Sequence, residues 1–379
     1  MTGAVIPRIN KTLLQSSTLY LAPVTDQRRA LQAVSTIQRL RSELSEIESK
    51  VWEKPRQAGD LIQQLGRINH EERFQDWLDC LPFPLASILR SYHALDRTDK
   101  EKYERLLHFF EAFTVFLASI HLSAFRTSES QWVQQRRKLL ALMDSQRFSL
   151  ARPTFGLWSA IVQLLAKGVR SLRDGKAEDQ SFLNTLYATA DPAPVDMLCS
   201  TKLIDLLQRM NSFRNRWTGH GGAVTIAEAR ERHDQLSKEL ANFRDIIGTR
   251  FQQYQLIKPL EAEILEGPVF RYRARRVMGS DPQLEHETIE LTTAPKTGAL
   301  CMHNPGHDKA LELIPLVQLR DEPQPASYFY NRSDKTELHL VSYQFASQSE
   351  VSDGNGVLTG LLNEFTRDAS APAEEQNDD

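Results

Sequence analysis

Apolar residues recur at steps of three and four along the first two-thirds of the chain and alternate with polar ones along the last third. Leu31, Val34, Ile37, Leu40, Leu44, Ile47 and Val51 predict a long amphipathic helix over Asp26–Trp52. A second helical piece over Ala58–Ile68 completes a coiled-coil-like antiparallel pair, which core packing explains better than partner binding. Pro82 and Pro84 mark a boundary, after which Leu85, Ile88, Leu89 and Tyr92 open a new helix. Tyr103–Phe125 predicts the strongest helix. Leu106, Phe109, Phe110, Phe113, Phe116, Leu117 and Ile120 give it a face wide enough for the centre of a bundle. Glu111 sits one position from that face, as a solvated flank residue or, less favoured, pointing toward a polar site.

Helices are also expected over Phe155–Leu172, Phe182–Tyr187 and Leu198–Phe213, with a turn at Asp191-Pro192-Ala193-Pro194. Thr225 and Glu228 form a capping-box pattern for a helix from about Ile226 to Tyr254. After Ile257-Lys258-Pro259 the period falls to two. Strands are expected at Val269–Val277, Thr288–Thr292, Gly298–His303, Ala310–Gln318, Ala326–Tyr330 and Leu338–Phe345, as in an antiparallel sheet. From Arg367 the chain is small, polar and acidic, which reads as a disordered tail. The fold class is therefore α+β: N-terminal amphipathic helices (1–80), a helical bundle (81–254), a small antiparallel β-rich domain (255–366) and the tail (367–379).

Composition narrows the function classes. A length of 379 residues, 41% hydrophobic and 25% charged, is ordinary for a globular chain of two or three domains. A formal net charge of −3 excludes general coating of nucleic acid, so binding to a polyanion needs a local patch. One candidate runs from Arg126 to Lys176, where ten basic residues, among them Arg136, Arg137 and Lys138, face three acidic ones. Solvated helix faces explain that excess equally well. A second candidate is the alternation of Arg271, Arg273 and Arg275 on one face of a strand. The aromatic strand positions Tyr328, Phe329, Tyr330 and Tyr343 read mainly as core.

Three widely spaced cysteines point to a reducing, cytoplasmic setting. The first ten residues lack a signal-peptide pattern, and Phe109–Phe125 is broken by Glu111, Ser119 and His121, so no membrane span is expected. Cys301, His303 and His307 lack a fourth ligand at a convincing spacing, so no metal or cofactor is expected. Walker, dinucleotide and serine-hydrolase motifs are absent from the sequence.

The most specific stretch is Met210-Asn211-Ser212-Phe213-Arg214-Asn215-Arg216-Trp217-Thr218-Gly219-His220-Gly221-Gly222. Cleaving RNA by its own 2′-hydroxyl needs a proton acceptor, a proton donor and a cation on the phosphate. A histidine supplies the proton work and a guanidinium the cation. On an unbroken helix Arg214 and His220 would point about 120° apart. The glycines end the helix first and let the imidazole swing back. The bland reading is an interhelical salt bridge at Arg214 and a helix-end cap at His220.

Arg214-Asn215-x-x-x-x-His220, set between two helices, resembles the R-x(4–6)-H motif of the HEPN superfamily over about 81–254. These are helical bundles found in many antiviral, toxin and abortive-infection proteins. The resemblance implies a metal-independent endoribonuclease of an antiphage defence system, commonly dimeric, leaving a 2′,3′-cyclic phosphate. It implies that Arg214 and His220 are catalytic and that Asn215 supports them. Arg136, Arg137, Lys138, Arg216, Arg271 and Arg273 are the candidate contacts to nucleic acid. The expected partners are RNA, a second copy of the chain and a defence-system protein. The alternative is a non-catalytic dimerisation or interaction subunit of a defence or restriction-modification complex.

Overall fold

The protein is described from a computed structural model. It covers Ser45 and residues 74–365, apart from 94–96, 176, 219–223, 266, 322–323, 335–336, 345–349 and 354–355. The chain divides into two units, Met1–Arg73 and Phe74–Asp379. The expected N-terminal helices and the acidic tail lie outside the described residues.

The second unit is mainly helical α+β. Its helices, in order, are α1 (Phe83–Tyr92), α2 (Asp99–Arg126), α3 (Glu129–Gln146), α4 (Phe155–Arg173), α5 (Ala177–Leu186), α6 (Pro192–Leu198), α7 (Thr201–Thr218), α8 (Ile226–Ile247) and α9 (Gly356–Glu364). Between α8 and α9 run β1 (Gln255–Ile264), β2 (Phe270–Arg276), β3 (His286–Leu291), β4 (Cys301–His303), β5 (Ala310–Glu312), β6 (Val317–Arg320), β7 (Ala326–Ser333), β8 (Leu338–Val341) and β9 (Glu350–Asp353). The strands form two antiparallel sheets, ordered β3-β2-β1-β4-β5 and β6-β7-β8-β9.

Helix α2 is the centre of the bundle, as its apolar face predicts. A Thr98–Glu101 capping box starts it, with Asp99 and Glu101 in the first turn and Arg126 in the last. Phe109, Phe110, Phe113 and Phe116 are fully buried. The ring of Phe243 on α8 lies edge-on against three of them, with centroids 5.2 Å from Phe109, 5.9 Å from Phe110 and 4.7 Å from Phe113. Among the described residues α2 is long and apolar enough to cross a bilayer, contrary to the expectation that its polar residues disqualify it. Its apolar window is 89% buried inside the protein, so that apolarity serves the core.

The helices and both sheets share one hydrophobic cluster that continues across residue 255. Ser119 and Ser123 of α2 make the junction explicit. Ser119 Oγ donates to the carbonyl of Ile314 (2.7 Å), and the N–H of Ile314 donates to Ser123 Oγ (2.7 Å). These bonds take both backbone groups of Ile314 out of a ladder, and Pro315 has no donor to offer. The strand expected over Ala310–Gln318 is therefore two: β5 in one sheet and β6 in the other.

Other differences have local causes. Pro192 and Pro194, expected in a turn, occupy the first turn of α6, where Asp191 caps the helix and a missing N–H costs nothing. Helix α8 stops at Ile247 because Gly248 takes a left-handed φ of 53°, and Tyr254 is buried after a short 3₁₀ turn. Ile257–Pro259, expected as a break, lies inside β1. Strand β4 pairs only Gln255–Ile257, which leaves Pro259 without a ladder partner on that side. Helix α3, strand β9 and helix α9 were not expected.

Replacing Phe243 by Ala removes the ring that three phenylalanines of α2 contact. Denaturant unfolding should show a loss of about 3–5 kcal/mol; a loss under about 1 kcal/mol would show that α2 and α8 do not depend on this contact.

Candidate functional site

Helix α7 carries Arg214 where the sequence places it. Leu203, Leu206, Leu207 and Met210 are buried along its inner face. Beyond them the partly buried Phe213 and Trp217 stack on each other, 5.3 Å apart and 10° from parallel. Arg232 of α8 lies 5.3 Å from the Trp217 ring and 5.6 Å from that of Tyr103 on α2. Three helices are thus tied together at the end of α7. The helix runs one turn past its expected end, to Thr218, and α8 begins behind the expected Thr225–Glu228 capping box. Gly219, His220, Gly221 and Gly222 lie outside the described residues.

Arg214 is 35% exposed, and its guanidinium reaches Glu111 of α2 at 3.5 Å. Glu111 is only 17% exposed, so the solvated-flank reading of that residue gives way to a polar site. It is the carboxylate among the phenylalanines of α2, and the pattern of the helix hides it because its partner is 103 positions away (214 − 111). Burial raises the Glu111 carboxyl above the usual range, and the neighbouring Arg214 charge pulls it back in part.

Two residues not expected at the site complete it. His108, one turn before Glu111, stacks on Tyr343 with centroids 4.8 Å apart and planes 22° from parallel. Its Nδ1 is buried without a hydrogen-bond partner among the described residues. Burial, then the charges of Arg105 and Arg214, push the imidazole down to about 4, so it is neutral at physiological pH. Tyr343 follows β8, and Arg105 donates to its carbonyl. Burial and the Glu111 carboxylate hold its phenol well above the usual value, with Arg214 opposing. Arg214, Glu111, His108 and Tyr343 thus form one cluster of a cation, a reluctant carboxylate, a neutral imidazole and a neutral phenol.

The remaining candidates are dispersed. Asn215 and Arg216 are exposed on the outer face of α7, with Arg216 5.8 Å from the Phe213 ring. Arg137 and Lys138 are exposed on α3, whereas Arg136 donates to the Glu364 carbonyl at the end of α9 (3.1 Å). Glu364 is also held by Arg126 (3.0 Å) and Trp132 (2.9 Å), so this part of the basic stretch anchors a helix. Arg271 pairs with Glu290 at 2.9 Å and Arg273 with Glu261 at 3.6 Å, forming cross-strand ion pairs that balance the charge of that face. Cys301 is buried in the smaller core of the five-stranded sheet, and His303 Nε2 hydrogen-bonds the backbone carbonyl of His307. Among the described residues no group of three His, Cys, Asp or Glu is placed to hold a metal ion.

A cavity of about 810 Å³ lies elsewhere, lined by Met143, Asp144, Phe148, Glu337 and Leu362 among others, and none of the candidate residues lines it. Comparison with known proteins finds no matching family model, no matching curated protein and no matching solved structure.

The neutral His108 has a consequence for pH. An imidazole whose folded pKa is depressed gives stability above the unfolded value of about 6.5 and loses it as pH falls toward about 4. The buried His121 adds to the same acid limb. His108→Gln should flatten that limb by up to about 3 kcal/mol between those pH values in denaturant titrations. An unchanged slope would mean that His108 is not held neutral.

Proposed function

We propose that the chain is a metal-independent endoribonuclease of the HEPN kind, in which Arg214 holds the scissile phosphate and His220 moves the protons. The observation that carries this reading is the anchored Arg214. Its guanidinium stands beside Glu111 of the largely buried helix α2, close to where α7 ends and the glycine-rich stretch that contains His220 begins. A guanidinium that a neighbouring carboxylate keeps at the site is in place before the phosphate arrives, which suits transition-state charge better than one on an unheld stem. Trp132, Arg126 and Arg136 are committed to α9, and the strand arginines to carboxylates. RNA is therefore recognised around α7 rather than along those stretches, with the exposed Arg216 beside Arg214.

In this reading Arg214 neutralises the phosphate. His220 takes the 2′-hydroxyl proton as that oxygen attacks phosphorus, and a protonated imidazole returns a proton to the departing 5′-oxygen. A second copy of the chain supplies the other imidazole across a shared cleft, and the setting is cytoplasmic, within a defence system. Asn215, exposed on α7, is the supporting polar residue.

A second reading has its own observation. The Glu111–Arg214 pair joins α2 to α7, and Tyr343 covers His108. The same contacts serve a structural clamp in a non-catalytic interaction subunit.

The two readings part in a cleavage assay on single-stranded RNA in chelator. The ribonuclease reading expects wild type to cut, and Arg214→Ala and His220→Ala each to lose at least about 100-fold with unchanged thermal melts. Variants that cut at the wild-type rate would sink it; no cutting by wild type would leave the clamp.

A further inference from the structure

We propose that Glu111 is the built-in counter-ion of an anion site on Arg214, and that a phosphodiester binds there by taking its place on the guanidinium while Glu111 takes up a proton. The proposal rests on reading Arg214 as the phosphate-holding residue and adds how that site is switched.

The guanidinium and the carboxylate approach each other to 3.5 Å, between Arg214 Nη2 and Glu111 Oε1. A bidentate fork, which holds a carboxylate most firmly, is closer and uses two parallel bonds, as Arg209 does with Glu239 at 3.1 and 2.9 Å. The Glu111–Arg214 contact is therefore the weaker kind and the easier to exchange. The two side chains also differ in access: Arg214 is 35% exposed and Glu111 17%. An anion arriving from solvent meets the guanidinium first, with the carboxylate behind it.

Charge balance sets where the proton goes. Among the described residues, Glu111 interacts with Arg214 from α7 and with Tyr343 after β8, and His108, one turn before it on α2, interacts with Arg214 and Arg105. His108 and Tyr343 are neutral near pH 7, and Arg105 is engaged by the Tyr343 carbonyl. Arg214 is thus the charge that keeps the buried carboxylate ionised. A phosphodiester on Arg214 divides that one positive charge between two anions. The diester stays ionised at any ordinary pH, so the carboxyl accepts the proton, from solvent, as the less hydrated of the two. The burial-raised Glu111 carboxyl already leans that way. The site exchanges one counter-ion for another and binds about one proton as it does so.

A short single-stranded DNA oligonucleotide, which lacks the attacking 2′-hydroxyl, tests binding without cleavage. Fluorescence anisotropy at fixed ionic strength, from about pH 5.5 to about pH 8, should show wild-type affinity falling by up to about tenfold per pH unit. Glu111→Gln should bind about tenfold more tightly at the alkaline end and show a flatter profile. Arg214→Ala should bind weakly at every pH. Calorimetry of wild type in buffers of different ionisation enthalpy should register net proton uptake on binding, and this measurement decides if Glu111→Gln does not fold. Binding without proton uptake, Glu111→Gln binding no tighter than wild type, or Arg214→Ala binding as well as wild type would each overturn the proposal. Since the probe cannot be cleaved, absence of ribonuclease activity counts against the ribonuclease reading alone.

Discussion

A helix of 28 residues buried along most of its length keeps its polar side chains chiefly by giving them partners, and α2 does so at turn after turn, with the buried His108 Nδ1 as an exception among the described residues. Thr114 and Ser123 donate to carbonyls one turn back on their own helix. Ser119 and Ser123 hold Ile314 and so bind the sheets to the bundle. His121 hydrogen-bonds the buried Tyr187, whose carbonyl accepts from Tyr254. Glu111 is the one acidic side chain of the helix set among its buried aromatics, and it meets Arg214. What holds the fold together and what prepares the site are thus the same requirement, applied at successive turns of one helix.

That requirement explains why some of the molecule was legible in the sequence and some was not. The apolar face of α2, the capping box of α8 and the end of α7 before the glycines are local patterns, and local patterns carry their own geometry. Glu111, His108 and Tyr343 carry none: each gains its meaning from a residue on another element. A glutamate one position off an apolar face reads as solvated until the partner helix is in place. The strand arginines mislead in the opposite direction. Their alternation is real, but Glu290 and Glu261 stand across the register and cancel the charge it implies. The prolines of α6 and the break between β5 and β6 depend on one residue's backbone bonds, which composition does not reveal.

The candidate site joins both kinds of information. The sequence marks Arg214 and His220 as a pair and explains why glycines must separate them. The fold adds that Arg214 has an internal anion beside it, and that the neighbouring imidazole, His108, is neutral and shielded by Tyr343. A cation balanced by a buried carboxyl is quiet until a stronger anion arrives. That property is what the proposed ribonuclease needs if it is not to act on every phosphate it meets.

The central claim is that RNA is cut here by its own 2′-hydroxyl, with Arg214 and His220 and without a metal. The most direct measurement is the chemistry of the ends left on RNA incubated with the wild-type protein in excess chelator. The account predicts 5′-hydroxyl ends and 2′,3′-cyclic phosphates. Products with 5′-phosphate and 3′-hydroxyl ends, or cleavage that stops when divalent ions are removed, would contradict it.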